Sequence, residues 1–172
     1  MKVGFTGTQN DLSVAQFDLL LLVMQELEDM TEAHHGDCVG ADATFSAMVD
    51  AMYPNTIVHI HPPTVNSKRA NCRYDETEEA FSYLTRNKHI VDATDVLLAC
   101  PKTDEEELRS GTWATIRYAR KRGKPIAILW NDGKYIYENK GTIQSGKIEE
   151  DATETSPLQD FLRRRSRNLD SV

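Results

Sequence analysis

The chain has 172 residues, 40% of them hydrophobic and 27% charged, an ordinary balance for a soluble globular protein and a length suited to one buried core. A formal net charge of -7 and a pI near 5.2 argue against a surface that neutralises nucleic acid, which needs clustered Lys and Arg. Three widely spaced cysteines make no disulfide framework, the N-terminus lacks a signal-peptide pattern, and the longest apolar stretch, 19–24, is too short for a bilayer; a cytoplasmic protein with no membrane partner is expected.

Taken in chain order, short apolar or β-branched runs alternate with longer helical stretches. Residues 3–5 read as a first strand, followed by a polar loop and a helix over 14–28. Ser13 and Gln16 are spaced for a capping box at that helix start. A short strand at 32–35 leads through a glycine-containing turn to a helix over 42–52. Residues 57–61 form a third strand, closed by Pro62 and Pro63. A long polar loop and a helix over 80–91 precede 96–99, whose continuous apolar character suits a buried parallel strand. After an acidic loop comes a helix over 113–122, stopped by Gly123 and Pro125. Residues 126–130 are a fifth strand, and 135–137 suggest a short edge strand. From 141 to 156 the chain reads as a polar linker, and 157–167 as a short amphipathic helix ending in Arg163, Arg164 and Arg165. The expected fold is α/β: a doubly wound parallel sheet of about five strands with helices on both faces, the order reversing beside the first strand. Residues 1–140 form the domain and 141–172 an appended linker and basic helix.

In such a sheet a ligand sits beyond the carboxyl ends of the strands, where the strand order reverses. Three loops qualify. The first carries Thr6, Gly7, Thr8 and Gln9, with hydroxyls that can donate to an anion. The second, Arg109, Ser110, Gly111 and Thr112, stands at a helix start, where unpaired N–H groups and a partial positive charge receive anions. Ser110 or Thr112 can equally cap that helix. The third holds His35, Gly36, Asp37, Gly40 and Asp42; an acidic residue here can take ribose hydroxyls, or Asp42 can cap the next helix. His59 and His61 share one side of their strand, but with His35 and Cys38 they lack the spacing of a closed zinc site, so no metal is expected. No cofactor is expected.

These segments, together with Arg86-Asn87 ahead of Asp92-Ala93-Thr94-Asp95, resemble the SLOG superfamily over residues 2–130. That superfamily joins the Lonely Guy cytokinin-activating enzymes, the DNA-processing protein A family and many small bacterial and phage domains, the last being most similar. The resemblance implies a Rossmann-like fold, a ligand phosphate at the Gly111-Thr112 helix end, and a pocket completed by Gly7, Thr8, Asp37, Gly40, Asp42, Arg86 and Asn87. It also implies a homodimer or higher homo-oligomer, as does a first helix apolar nearly all round, with Phe17, Leu19, Leu20, Leu21, Leu22 and Val23. Lonely Guy enzymes carry a catalytic Glu three residues after the Thr of this loop, where this chain has Thr115. Three function classes follow. The first is a sensor or sequestering module for a nucleotide, NAD-derived or otherwise. The second is a nucleotide N-glycosidic hydrolase whose acid or base is Asp37, Asp42 or a Glu of 105–107. The third is a single-stranded nucleic-acid binder using Arg117, Arg120, Lys121, Arg122 and the basic tail. A solvated helix face with cations at its C-terminal end accounts for that cluster better.

Overall fold

A computed structural model describes residues 1–27 and 29–148. Its elements are β1 (Lys2–Gly7), α1 (Val14–Gln25), β2 (Glu32–His35), α2 (Ala41–Met52), β3 (Ile57–Ile60), β4 (Glu76–Thr77), α3 (Tyr83–Ala93), β5 (Val96–Cys100), α4 (Gly111–Lys121), β6 (Ile126–Leu129), β7 (Lys134–Asn139) and β8 (Thr142–Lys147). The strands form one sheet in the order β4-β3-β2-β1-β5-β6-β7-β8. From β4 to β6 all neighbours are parallel, and β7 and β8 are antiparallel. The order reverses at β1, which lies between β2 and β5.

Side-chain alternation along the central strands divides the core into two layers. Val96, Leu98 and Cys100 of β5 join Val3 and Phe5 under α1 and α2, whose Leu19, Leu20, Val23, Phe45 and Val49 fill that side. Leu97 and Ala99 face the other way, against Val91 of α3 and Trp113, Ile116 and Ala119 of α4. The strand is therefore apolar on both faces because both are covered by helices, as right-handed crossovers require.

Local signals set the helix ends. The Ser13 hydroxyl accepts from the Gln16 N–H at 3.1 Å, and the Gln16 side chain accepts from the Ser13 N–H at 3.4 Å, closing the capping box. Gln16 is itself fully buried and donates to the carbonyls of Pro101 and Leu129, at 2.9 and 3.0 Å, which ties α1 to the ends of β5 and β6. The chain leaves α4 through Gly123 at φ 64.

Two parts of the sequence reading are corrected. The sheet has eight strands rather than about five, and the first part of the expected linker is a strand. Lys140 and Gly141 take φ values of 44 and 84, a two-residue turn of positive φ that suits the twist of a hairpin, and β8 pairs back onto β7 from Thr142 to Lys147. Because β8 is an exposed edge it needs no apolar alternation, and its polar composition resembles a linker. The strand at 135–137 is accordingly interior rather than an edge. β4 arises in the same way, as two residues of the polar loop paired with β3. The expected basic helix at 157–167 and the remaining linker, 149–156, lie outside the described residues. Among the described residues, no helix is long and apolar enough to cross a membrane.

Candidate functional site

A cleft of about 780 Å³ opens beyond the carboxyl ends of β1 and β5, on either side of the strand reversal. Its walls are the loop after β1, the first turn of α3, and the loop that leads from β5 into α4. Thr6, Gly7, Thr8, Gln9, Asp42, Arg86, Asn87, Arg109, Ser110, Gly111 and Thr112 all line it. Segments separated by a hundred residues thus meet, because β1 and β5 are register neighbours from Val3↔Val96 to Gly7↔Cys100.

At the α4 end, Ser110 is the N-cap, its hydroxyl accepting from the Trp113 N–H at 3.3 Å. Thr112 does not cap. Its hydroxyl donates to the Gly7 carbonyl at 2.9 Å and so fastens α4 to the end of β1. The N–H groups of Gly111 and Thr112 have no partner among the described residues, as expected for the first turn of a helix. A Cβ built on Gly111 meets nothing within 4 Å, so the backbone there is open. Arg117 holds the approach loop through Glu106 at 3.0 Å and the carbonyls of Glu107 and Leu108. The side chains of Arg109 and Lys102, both on the cleft, have no ionic partner among the described residues.

The opposite wall is a buried charge cluster. The Asp42 carboxylate accepts from the N–H groups of Gly36 and Cys38, each at 3.1 Å, and stands 3.9 Å from the Arg86 guanidinium. Asp42 therefore neither caps α2, whose N-cap is Gly40, nor extends freely into the cleft. Burial raises its pKa, opposed by Arg86 and the two N–H donors. Arg86 also donates to Cys38 Sγ at 3.0 Å and stacks over Tyr83 at 5.5 Å, while its Nε is buried without a partner among the described residues. Burial pushes the Cys38 thiol up to about 11, so it is a neutral wall group. Asn87 donates to Thr115 Oγ1 at 2.7 Å, and Thr115 to the Gly111 carbonyl at 2.9 Å, which locks α3 against α4.

His35, Gly36, Asp37 and Gly40 stand behind the cleft. His35 is fully buried, its Nδ1 accepting from the Asp37 N–H at 3.1 Å, and burial lowers its pKa to about 4. Asp37, also fully buried, accepts from Arg69 Nε at 2.7 Å and the Cys72 N–H at 2.8 Å, so each carboxylate oxygen already has a partner within the chain. Gly36 leaves the slot that Arg86 fills; a Cβ there would lie 1.0 Å from Nη1. Gly40 takes φ 88 and lets α2 approach the backbone of Gln9. Tyr83 and Lys102 on the cleft were missed. Tyr83 stands three residues before Arg86, one helical turn away, a spacing that could have signalled it; Lys102 lies in a loop with no periodicity to read.

The three arginines of the basic cluster at α4 are paired within the chain, Arg117 with Glu106 as above. Arg120 pairs with Glu138 at 2.7 Å and Glu106 at 3.3 Å, and Arg122 with Asp92 at 2.9 Å.

No family model and no curated protein matches the sequence. Solved structures do. The molybdenum cofactor binding protein of the phototrophic bacterium Rippkaea orientalis aligns with a TM-score of 0.59 at 19% identity, over 77% of this chain and 78% of that one. A protein designated TM1055 aligns at 0.53 and 18%, over 73% and 72%. DNA processing protein A from Helicobacter pylori, described for its single-stranded DNA binding mode, aligns at 0.55 and 15%, over 98% and 81%. At such identities the likeness concerns the fold alone, a Rossmann-like α/β fold with a mostly parallel central sheet.

Proposed function

We propose that the cleft binds a nucleotide, its phosphate seated on the first turn of α4 and the remainder reaching toward Arg86 and Tyr83. One observation carries this reading: an unhindered helix N-terminus at Gly111, flanked by the uncommitted charges of Arg109 and Lys102, opens at the strand reversal. Unpaired N–H groups and the helix dipole favour an anion at such a place. The three structural neighbours, which include a cofactor-binding and a DNA-binding protein, support a ligand-binding module of this fold.

The role is binding without glycosidic cleavage, as in a sensor or a sequestering protein. Thr115, the position where Lonely Guy enzymes carry Glu, is buried and committed to Asn87 and Gly111, and offers a neutral hydroxyl. Loss of one well-placed stabilising group costs about a hundredfold or more in rate. Single-stranded DNA is disfavoured because the arginines at α4, Arg117, Arg120 and Arg122, are paired with carboxylates.

The test is a thermal-shift and calorimetric titration of the full chain with AMP, ADP-ribose, NAD, a cyclic dinucleotide and a single-stranded oligomer. A bound nucleotide at a hundredfold over its Kd adds about 2.7 kcal/mol of stability. Gly111→Val, which meets no neighbouring atom at Cβ, is expected to keep the melting temperature and lose the nucleotide. Unchanged affinity in that variant refutes the site. Free base released at enzymatic rates, and abolished by Glu107→Gln, would establish the hydrolase instead.

Self-association belongs to the same proposal. Val14 and Phe17 on the outer side of α1 are 80% and 41% exposed, although Leu19, Leu20 and Val23 are consumed by the core. A monomer mass by light scattering at micromolar concentration refutes it.

A further inference from the structure

Away from the cleft, the other flank of the sheet carries a cluster that nucleotide binding does not use. In the parallel register, Lys2 lies beside Glu32, and His34 beside His59. Alternation places these side chains on one face, opposite the layer that holds Val3, Ala33 and Val58. Glu32 Oε2 lies 3.1 Å from His34 Nε2 and 3.7 Å from His59 Nε2, and all three atoms fall within 4.8 Å of one another. The His34 and His59 rings are parallel, with centroids 4.4 Å apart. Glu32 and His59 keep 22% and 18% of their side chains exposed, so the cluster is reachable from solvent.

We propose that Glu32, His34 and His59 bind a single divalent transition-metal ion of the zinc class, with water completing the coordination. Bonds of about 2.0–2.2 Å at tetrahedral angles separate ligand atoms by roughly 3.3–3.6 Å, and the two Glu32 distances bracket that range. Tilting the two imidazoles out of their stack brings both lone pairs onto one point. Two nitrogens and one carboxylate oxygen suit zinc, cobalt or nickel rather than magnesium or calcium.

Behind two of the three ligands, His34 and Glu32, a supporting group is also in place. Metal-bound histidines present their second ring nitrogen to a fixed partner, and ligating carboxylates are held by a hydrogen bond. His34 Nδ1 lies 3.0 Å from His61 Nε2, and Glu32 Oε1 is held by Lys2 Nζ at 2.9 Å. With Nε2 beside a carboxylate, which only accepts, His34 carries its proton on Nε2 and its Nδ1 accepts from His61. Ion binding reverses both tautomers: the His34 proton moves to Nδ1 and is donated to His61 Nε2, and the His61 proton moves to its Nδ1. That atom is buried with no partner among the described residues, as is His59 Nδ1. Each ring keeps one proton, so the exchange balances.

The experiment is a Zn²⁺ and Co²⁺ titration of the chelator-treated full chain, without nucleotide, so its outcome is independent of the cleft. One equivalent is expected, with the visible absorption of tetrahedral Co²⁺. Glu32→Gln and His59→Ala are each expected to weaken it at least about a hundredfold, while Glu138→Gln, on β7 four strands from β2, binds as the parent does. Melting curves establish that the variants are folded, and Glu32→Gln keeps the side-chain shape if His59→Ala unfolds. Mg²⁺ is expected to give no response. Absence of a bound equivalent in the parent at micromolar metal, or equal affinity in the parent and Glu32→Gln, overturns the site.

Discussion

Asp37→Ala is expected to destabilise the fold by about 4–5 kcal/mol while leaving the cleft able to bind. Asp37 is fully buried, and its carboxylate receives Arg69 Nε at 2.7 Å and the Cys72 N–H at 2.8 Å. Removing a charged acceptor costs about 1.5–3 kcal/mol per hydrogen bond. The Arg69 side chain is 26% exposed, so water takes over part of its loss, and the lower end of that range applies to it. The backbone adds a further term. Asp37 adopts φ 53, a left-handed conformation that Asp and Asn tolerate and that costs other residues roughly 1 kcal/mol. Against a total stability of about 5–15 kcal/mol this is a large fraction, equivalent to roughly a 10 °C fall in melting temperature for a chain of this size. Asp37→Asn keeps the left-handed tolerance and one acceptor, so about half the loss is expected. Urea unfolding followed by circular dichroism ranks the three proteins, and calorimetry gives nucleotide affinity at a temperature where all are folded. If Asp37→Ala keeps its stability within about 0.5 kcal/mol of the parent but loses the nucleotide, Asp37 is a ligand group and the placement behind the cleft is wrong.

Gly36→Ala puts a methyl in the slot of the Arg86 guanidinium, which can swing away because it ends a flexible side chain. A lower melting temperature is expected, because Asp42 loses its buried counter-charge, and with it a roughly tenfold weaker nucleotide titration at a temperature where the variant is folded, equivalent to about 1.4 kcal/mol; unchanged affinity removes Arg86 from the site. Acid should loosen the fold through His35, whose pKa is lowered by burial from 6.5 to about 4. The unfolded chain binds that proton first, so the stability held above pH 6.5 drains away as pH falls toward 4, by roughly 2–3 kcal/mol at pH 4.5. Urea midpoints between pH 7.5 and 4.5 report it, and a His35→Gln variant with an equally steep acid loss refutes the assignment.

What the sequence determined by itself was whatever is written locally. The period of apolar residues located the helices and central strands, the Ser13-Gln16 box and Gly123 marked helix ends, and the unbroken run of β5 announced a strand covered on both faces. Loops at the carboxyl ends of such strands also located the cleft, since alternation of strand and helix leaves them at one edge. Tertiary structure decided what depends on partners distant in the chain. β4 and β8 are polar and are strands only because β3 and β7 supply their hydrogen bonds. Asp37 was chemically apt for a ribose, but Arg69, 32 residues on, claims it first. Glu32, His34 and His59 show no ligand spacing along the chain, because what joins them is the register between β2 and β3. Register follows from how two strands bury their faces together, and no window of sequence around either strand contains that information.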